Sequence, residues 1–120
     1  MRVVRQTAAA TPAAVAAQLR DAFVAAQGAV AAEEPVVLCV DAPALLGQGS
    51  PEDAAVACGM LGLARALAFE GGSKGWRVNV VAVDPGEEPD EQLLALAATV
   101  PGLTGQVLNV SSGAVGKVVP

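Results

Sequence analysis

The chain has no histidine and no tyrosine, and its only lysines are Lys74 and Lys117. General acid–base catalysis near neutral pH falls mostly to histidine, tuned carboxylates, lysine, tyrosine or cysteine. Any catalysis by this chain would therefore depend on its carboxylates or on its two cysteines, Cys39 and Cys58. We expect no catalytic residue, and an enzyme acting alone is the minority interpretation.

Aromatic residues and charges are also scarce. Aromatics make up 2% and charged residues 16% of the 120 residues, whereas hydrophobic residues, mostly Ala and Val, make up 53%. This composition is too apolar for a disordered chain and predicts one domain over residues 1–120. The cysteines lie in apolar runs, so we expect two buried thiols rather than a disulfide. Two cysteines are too few for a cysteine-based metal site, and no metal is expected.

Positive charge is in short supply as well. The net charge of −5 argues against a nucleic-acid binder, which needs a basic stripe. The longest apolar helix carries Glu52 and Arg65, and the N-terminus lacks the apolar core of a signal peptide. The sequence therefore predicts a cytoplasmic protein with neither a nucleic-acid nor a membrane partner.

Short apolar runs alternate with helix signals along the chain. Helix starts are marked by Thr11-Pro12 and by Ser50-Pro51, the latter followed by Asp53, which we interpret as a first-turn acid facing Ser50. The order β-α-β-α-β-α-β predicts an α/β fold, a truncated Rossmann-like parallel sheet with right-handed crossovers and helices on both faces. Strands are predicted at 2–5, 36–40, 76–83 and 106–110, helices at 11–32, 51–70 and 89–100, and a loop at 41–49.

The second predicted helix is apolar on nearly every side. Between residues 54 and 69 its only charge is Arg65, although one sheet can bury only one face of a helix. Gly59 and Gly62 each cost about 0.5–1 kcal/mol in a helix interior unless a neighbour approaches closely. We therefore predict an oligomer interface on this helix. The sequence pattern does not decide which apolar stripe faces the sheet and which faces the partner. The predicted interface residues are Phe23, Ala57, Cys58, Leu61, Gly62 and Arg65.

Three segments in the second half of the chain carry a family resemblance. Residues 62–70 read G-L-A-R-A-L-A-F-E, residues 76–79 read W-R-V-N with Pro85-Gly86 after them, and residues 103–110 read L-T-G-Q-V-L-N-V. In this order they resemble the short-chain dehydrogenase/reductase (SDR) family: the helix after the catalytic tyrosine, the "VN…PG" strand and the last strand. The resemblance covers residues 11–113 and implies the second half of an SDR Rossmann domain.

The resemblance also implies that the family's chemistry is absent. The glycine-rich cofactor loop would belong to the first half of the domain, so we expect no cofactor and no binding of NAD(P)H. Asp53 stands where the catalytic tyrosine would be, and Ala57 where its lysine partner would be. In the family, two long helices meet a second subunit, and they correspond here to 11–32 and 51–70.

Three functional hypotheses follow. The leading one is a non-catalytic, SDR-like interaction subunit that pairs with itself or with a full-length reductase. The second is one part of a split NAD(P)-dependent oxidoreductase completed by another chain. The third is a receiver-like signalling domain, suggested by Asp84 after an apolar strand, although the acidic pair such domains carry after their first strand is missing from residues 2–6.

Overall fold

The apolar runs form one parallel sheet in the computed structural model, which describes residues 1–114, 116, 117 and 119. Strands that are consecutive in the chain are neighbours in the sheet, so the order is β1-β2-β3-β4. In the register, Val37 lies between Val3 and Asn79. The α/β prediction is confirmed. The strands are β1 (Arg2–Arg5), β2 (Val36–Asp41), β3 (Val78–Val83) and β4 (Val107–Asn109).

The predicted helix starts are confirmed by their capping bonds. The Thr11 hydroxyl accepts from the Ala14 N–H at 3.1 Å, and the Ser50 hydroxyl accepts from the Asp53 N–H at 3.1 Å. Asp90 caps the third long helix in the same way. The helices are α1 (Pro12–Ala31), α2 (Ala42–Leu45), α3 (Pro51–Gly71) and α4 (Glu91–Thr99).

Helix α2 corrects the predicted loop at 41–49. Its Ala42, Ala44 and Leu45 side chains are buried, and a buried segment must satisfy its own backbone groups, which a helical turn does. The Leu46 N–H donates to the Ala42 carbonyl at 3.2 Å. A helix of four residues is too short to show a periodic pattern in sequence.

The helices cover both faces of the sheet, but unequally. Helices α1 and α3 pack on the face formed by Leu38 and Val80, whereas α4 packs on the opposite face with Val37 and Val81. Each strand is added on the same side of the strand before it, but α4 lies on the opposite face of the sheet from α1 and α3. The β3–α4–β4 crossover therefore has the opposite hand to the two crossovers before it. The prediction that all crossovers are right-handed is therefore wrong for this sheet.

The segment Pro51–Lys74 is long and apolar enough to cross a membrane by length and composition, with a mean hydropathy of 1.4 over an 18-residue window within it. In the structure most of it is α3, which packs on β2 and β3 through Val56, Met60 and Ala64. The core helix of a soluble protein meets the same criteria, so they are weak evidence for a membrane span. The radius of gyration is 13.3 Å, as expected for a folded chain of this length.

Candidate functional site

The outer face of α3 is an apolar surface that the fold leaves in solvent. Its exposed residues recur every three or four positions, which is the spacing of one helix face. Phe69 lies at the C-terminal end of this face and is 92% exposed. We call the following set the α3 outer face: Ala55, Cys58, Gly62, Arg65, Ala66 and Phe69.

Part of the predicted interface does not reach this face. Ala57 is fully buried and Leu61 is 4% exposed, because both lie with Met60 and Ala64 on the side of α3 that packs into the core. The prediction that these two residues contact a partner is therefore wrong. The change Leu61→Glu would place a carboxylate in the protein's own core and would report on folding rather than on assembly.

The two helix glycines have different surroundings. A Cβ on Gly59 would lie 2.5 Å from Leu19 Cδ2, so Gly59 allows α1 to approach α3 within the chain. A Cβ on Gly62 would meet nothing within 4 Å. Intramolecular packing thus explains Gly59, whereas no described neighbour explains the absence of a side chain at Gly62.

Helix α1 lies beside α3 and adds apolar surface. Phe23 is 48% exposed and Val24 is 55% exposed. With Phe69, both phenylalanines of the chain are exposed, although phenylalanine is among the residues most often buried. Of the predicted interface set, the structure therefore places Phe23, Cys58, Gly62 and Arg65 on the surface and leaves their contact with a partner as a prediction.

The carboxyl edge of the sheet, where open α/β folds usually bind their ligands, is held together by internal bonds. Arg5 pairs with Asp41 at 2.8 Å. The Gln6 side chain accepts from the Asp41 N–H at 3.0 Å and donates to the Asp53 carbonyl at 2.9 Å. Asp84, which suggested a receiver-like domain, accepts a short hydrogen bond from the Ser111 hydroxyl.

Asp53 has a different partner from the one predicted. Its carboxylate accepts from the Ala9 N–H at 2.9 Å, while its own N–H donates to Ser50. Asp53 therefore fastens the loop between β1 and α1 to the start of α3. Because Ala9 is 44 residues away in the chain, no local sequence signal could have indicated this bond.

The cysteines also differ from the prediction, since only one of them is buried. Cys39 is buried under α4 and Cys58 is exposed, and both are free. Burial raises the pKa of Cys39; among smaller effects Arg5 lowers it and the carboxylates of Glu88 and Asp41 raise it further. The thiolate is the reactive form, so burial and the raised pKa both disfavour reaction of Cys39.

Comparison with known proteins gives a clear fold assignment. No family model and no curated protein matches the sequence. Among solved structures, an oxidoreductase of the short-chain dehydrogenase/reductase family from Burkholderia thailandensis is 25% identical, with a TM-score of 0.69. Acetoin dehydrogenase YohF from Salmonella typhimurium is 19% identical, with a TM-score of 0.68. The fold is SDR-like.

The match spans nearly all of this chain but only part of each SDR structure. It covers 92% of the chain and 62% of each of the two proteins. In this SDR-like chain the described residues contain no group of three His, Cys, Asp or Glu side chains that could hold a metal ion. At the two positions that the family resemblance associates with catalysis, Asp53 is bonded to Ala9 and Ala57 is buried in the core.

Substitutions at the start of α3 test the structural role of Asp53. We expect Ser50→Ala to lower the free energy of unfolding by about 1 kcal/mol, the usual cost of losing an N-cap. Asp53→Ala should cost about 1–2 kcal/mol, because the Ala9 N–H, in a residue 6% exposed, loses its acceptor. Urea denaturation measures both, with the exposed Asp21→Ala as the control. An Asp53→Ala protein as stable as the control would contradict this role.

Proposed function

We propose that this SDR-like chain is a non-catalytic interaction subunit that pairs with a second copy of itself through the α3 outer face and the neighbouring surface of α1. The α3 outer face carries the proposal: a helix surface of small residues around Gly62 and Ala66, ended by a Phe69 that is 92% exposed. Isolated exposed apolar residues are ordinary, whereas a contiguous apolar face marks an interaction site.

The chemistry of this face suits contact between two helices. Ala55, Gly62 and Ala66 have side chains small enough to let a second helix backbone come close. Arg65 is the only charged residue between positions 54 and 69, so a second copy would meet little repulsion. A two-fold arrangement is the commonest way for one surface to pair with itself.

The non-catalytic part of the proposal has separate support. An SDR reductase is expected to use a tyrosine to protonate its substrate, and this sequence contains none. Asp53, at the corresponding position, accepts a hydrogen bond from a buried backbone N–H. The other polar groups at the carboxyl edge, such as Arg5 and Asp41, are bonded to each other.

Sedimentation velocity of the purified chain tests the proposal. We expect a dimer at micromolar concentration, with the fraction of monomer rising on dilution. A chain that stays monomeric at all concentrations and does not bind an SDR reductase would contradict an interaction role through these helices. If the chain is monomeric alone but binds a full-length SDR reductase, that reductase is the partner instead of a second copy.

A second candidate, one part of a split oxidoreductase, is favoured by the outer edge of β1. The Arg2 N–H donates to the Pro35 carbonyl, just before β2, and the Gln6 N–H donates to the Cys39 carbonyl in β2, at 2.8 Å each. N–H groups alternate in direction along a strand, so those of Val3 and Arg5 point away from the sheet. Among the described residues no strand pairs with this edge, and another chain could add one there.

Val3→Pro separates the two candidates. It removes an outward N–H while leaving the β1–β2 bonds in place. Under the interaction-subunit proposal Val3→Pro dimerises as the wild type does. Loss of assembly in Val3→Pro, with assembly intact in a variant of the α3 outer face, would favour strand addition and a split enzyme.

A further inference from the structure

A cavity of about 400 Å³ opens at the amino edge of the sheet, opposite the carboxyl edge described above. It lies between the α1–β2 loop and the α3–β3 loop, and its volume is in the range of small-molecule sites. We call it the Trp76 pocket. Its lining includes Val30, Glu33, Pro35, Lys74, Trp76 and Arg77.

Cations and carboxylates both surround the Trp76 pocket, in a chain whose net charge is −5. Three of the seven cationic side chains, those of Arg2, Lys74 and Arg77, lie at this edge. Arg2 compensates Glu34, which also lines the pocket, at 3.4 Å. The remaining charged groups of the lining are the cations of Lys74 and Arg77 and the carboxylate of Glu33.

The two cations of the lining are differently engaged. Lys74 Nζ lies 4.7 Å from the centre of the Trp76 ring, a cation–π contact that holds the ammonium at the pocket. The Arg77 guanidinium is half-buried and makes no hydrogen bond or ion pair with any residue that the structure describes. A guanidinium presents a rigid fork of donors that matches a carboxylate, so Arg77 has donors available to a ligand.

The apolar wall of the pocket is fixed in place before any ligand binds. The indole of Trp76 covers Gly71, where a Cβ would overlap the ring, and the backbone N–H of Trp76 donates to the Gly71 carbonyl at 3.2 Å. Gly75 adopts a φ of 76°, which turns the chain between Lys74 and Trp76. A preformed wall lowers the entropic cost of binding.

We propose that the Trp76 pocket binds a small organic anion, a carboxylate carried on an apolar body. Arg77 and Lys74 hold the carboxylate, while Val30, Pro35 and the indole of Trp76 contact the body of the ligand. Glu33 opposes a dianion and limits the site to a single negative charge. The site is independent of the interaction proposed for α3, because it uses none of the α3 outer face.

Trp76 itself reports on the test, because it is the only tryptophan in a chain without tyrosine. Benzoate is the probe and benzamide is its neutral control. We expect benzoate to change the Trp76 emission with a saturable curve and benzamide to have no saturable effect. Arg77→Gln should weaken benzoate binding about tenfold, the effect of losing a charge-assisted bond, and Arg20→Gln, on the exposed side of α1, should leave it unchanged.

Glu33→Gln should change the affinity for benzoate in the direction opposite to Arg77→Gln. A purely structural role of Glu33 would not produce tighter binding. Removing this carboxylate should tighten benzoate binding about twofold to threefold, because it removes a repulsion. The proposal is overturned if benzoate shows no saturable effect up to about 10 mM, well above the millimolar dissociation constant of a weak site. Equal responses to benzoate and benzamide, or no change in Arg77→Gln, would also overturn it.

Discussion

Ala66→Glu should convert the dimer that the wild-type chain forms at micromolar concentration into a monomer. Ala66 is exposed in the middle of the α3 outer face, next to Gly62. In the isolated chain a glutamate there stays in water and costs little. In the dimer it would be buried without a partner, which costs several kcal/mol and therefore more than a hundredfold in affinity.

Ala95→Glu is the matched control for Ala66→Glu. Ala95 is an exposed alanine within α4, on the opposite side of the sheet. Each new glutamate lies four residues from an existing one, Glu70 or Glu91, so the like-charge repulsion within the helix is the same. Sedimentation should show Ala95→Glu as a dimer. Dissociation of both variants, or of neither, would contradict an interface on α3.

Asn79→Ala should lower the free energy of unfolding by about 3 kcal/mol, because it leaves a cavity and removes the partner of the buried Ala97 carbonyl and of two further backbone groups. Asn79 is fully buried in β3. Its side-chain amide donates to the carbonyls of Ala97 and Leu103, each at 2.8 Å, and its oxygen accepts from the Gln106 N–H at 3.1 Å. One side chain thus joins β3 to the end of α4 and to the start of β4.

Asn109→Ala is the control for Asn79→Ala. Asn109 is exposed and accepts one local bond, from the Ser111 N–H at 3.0 Å, so its loss should cost about 1 kcal/mol or less. Urea denaturation compares the two variants. If Asn79→Ala were no less stable than Asn109→Ala, the described network would not hold α4 and β4 in place.

The sequence predicted those parts of the fold that depend on neighbouring residues. The strands at β2 and β3 are continuous apolar runs, and Thr11 and Ser50 cap helices that begin with proline. Both signals are local, and the structure confirms them. Helix α2 and the hand of the β3–α4–β4 crossover depend instead on packing between distant segments, which no local pattern records.

The candidate site was predicted less completely, for a physical reason. Helix α3 is apolar on nearly every side, so its sequence pattern does not say which stripe faces the sheet. That ambiguity led to the incorrect placement of Ala57 and Leu61 on the partner-facing side. The Trp76 pocket had no sequence signal, because its walls come from loops that are more than 35 residues apart in the chain.

Labelling of Cys58 at different protein concentrations tests the proposed dimer most directly. Cys58 lies on the α3 outer face, whereas Cys39 is fully buried and has a raised pKa, so we expect Cys39 to label far more slowly. Labelling with a thiol reagent therefore reads the exposure of Cys58 alone. We expect the wild type to react severalfold more slowly at about 100 μM than at about 1 μM, because mass action favours the dimer, and Ala66→Glu to react quickly at both. A wild type that labels at the same rate at both concentrations, and as fast as Ala66→Glu, would contradict an interface on α3.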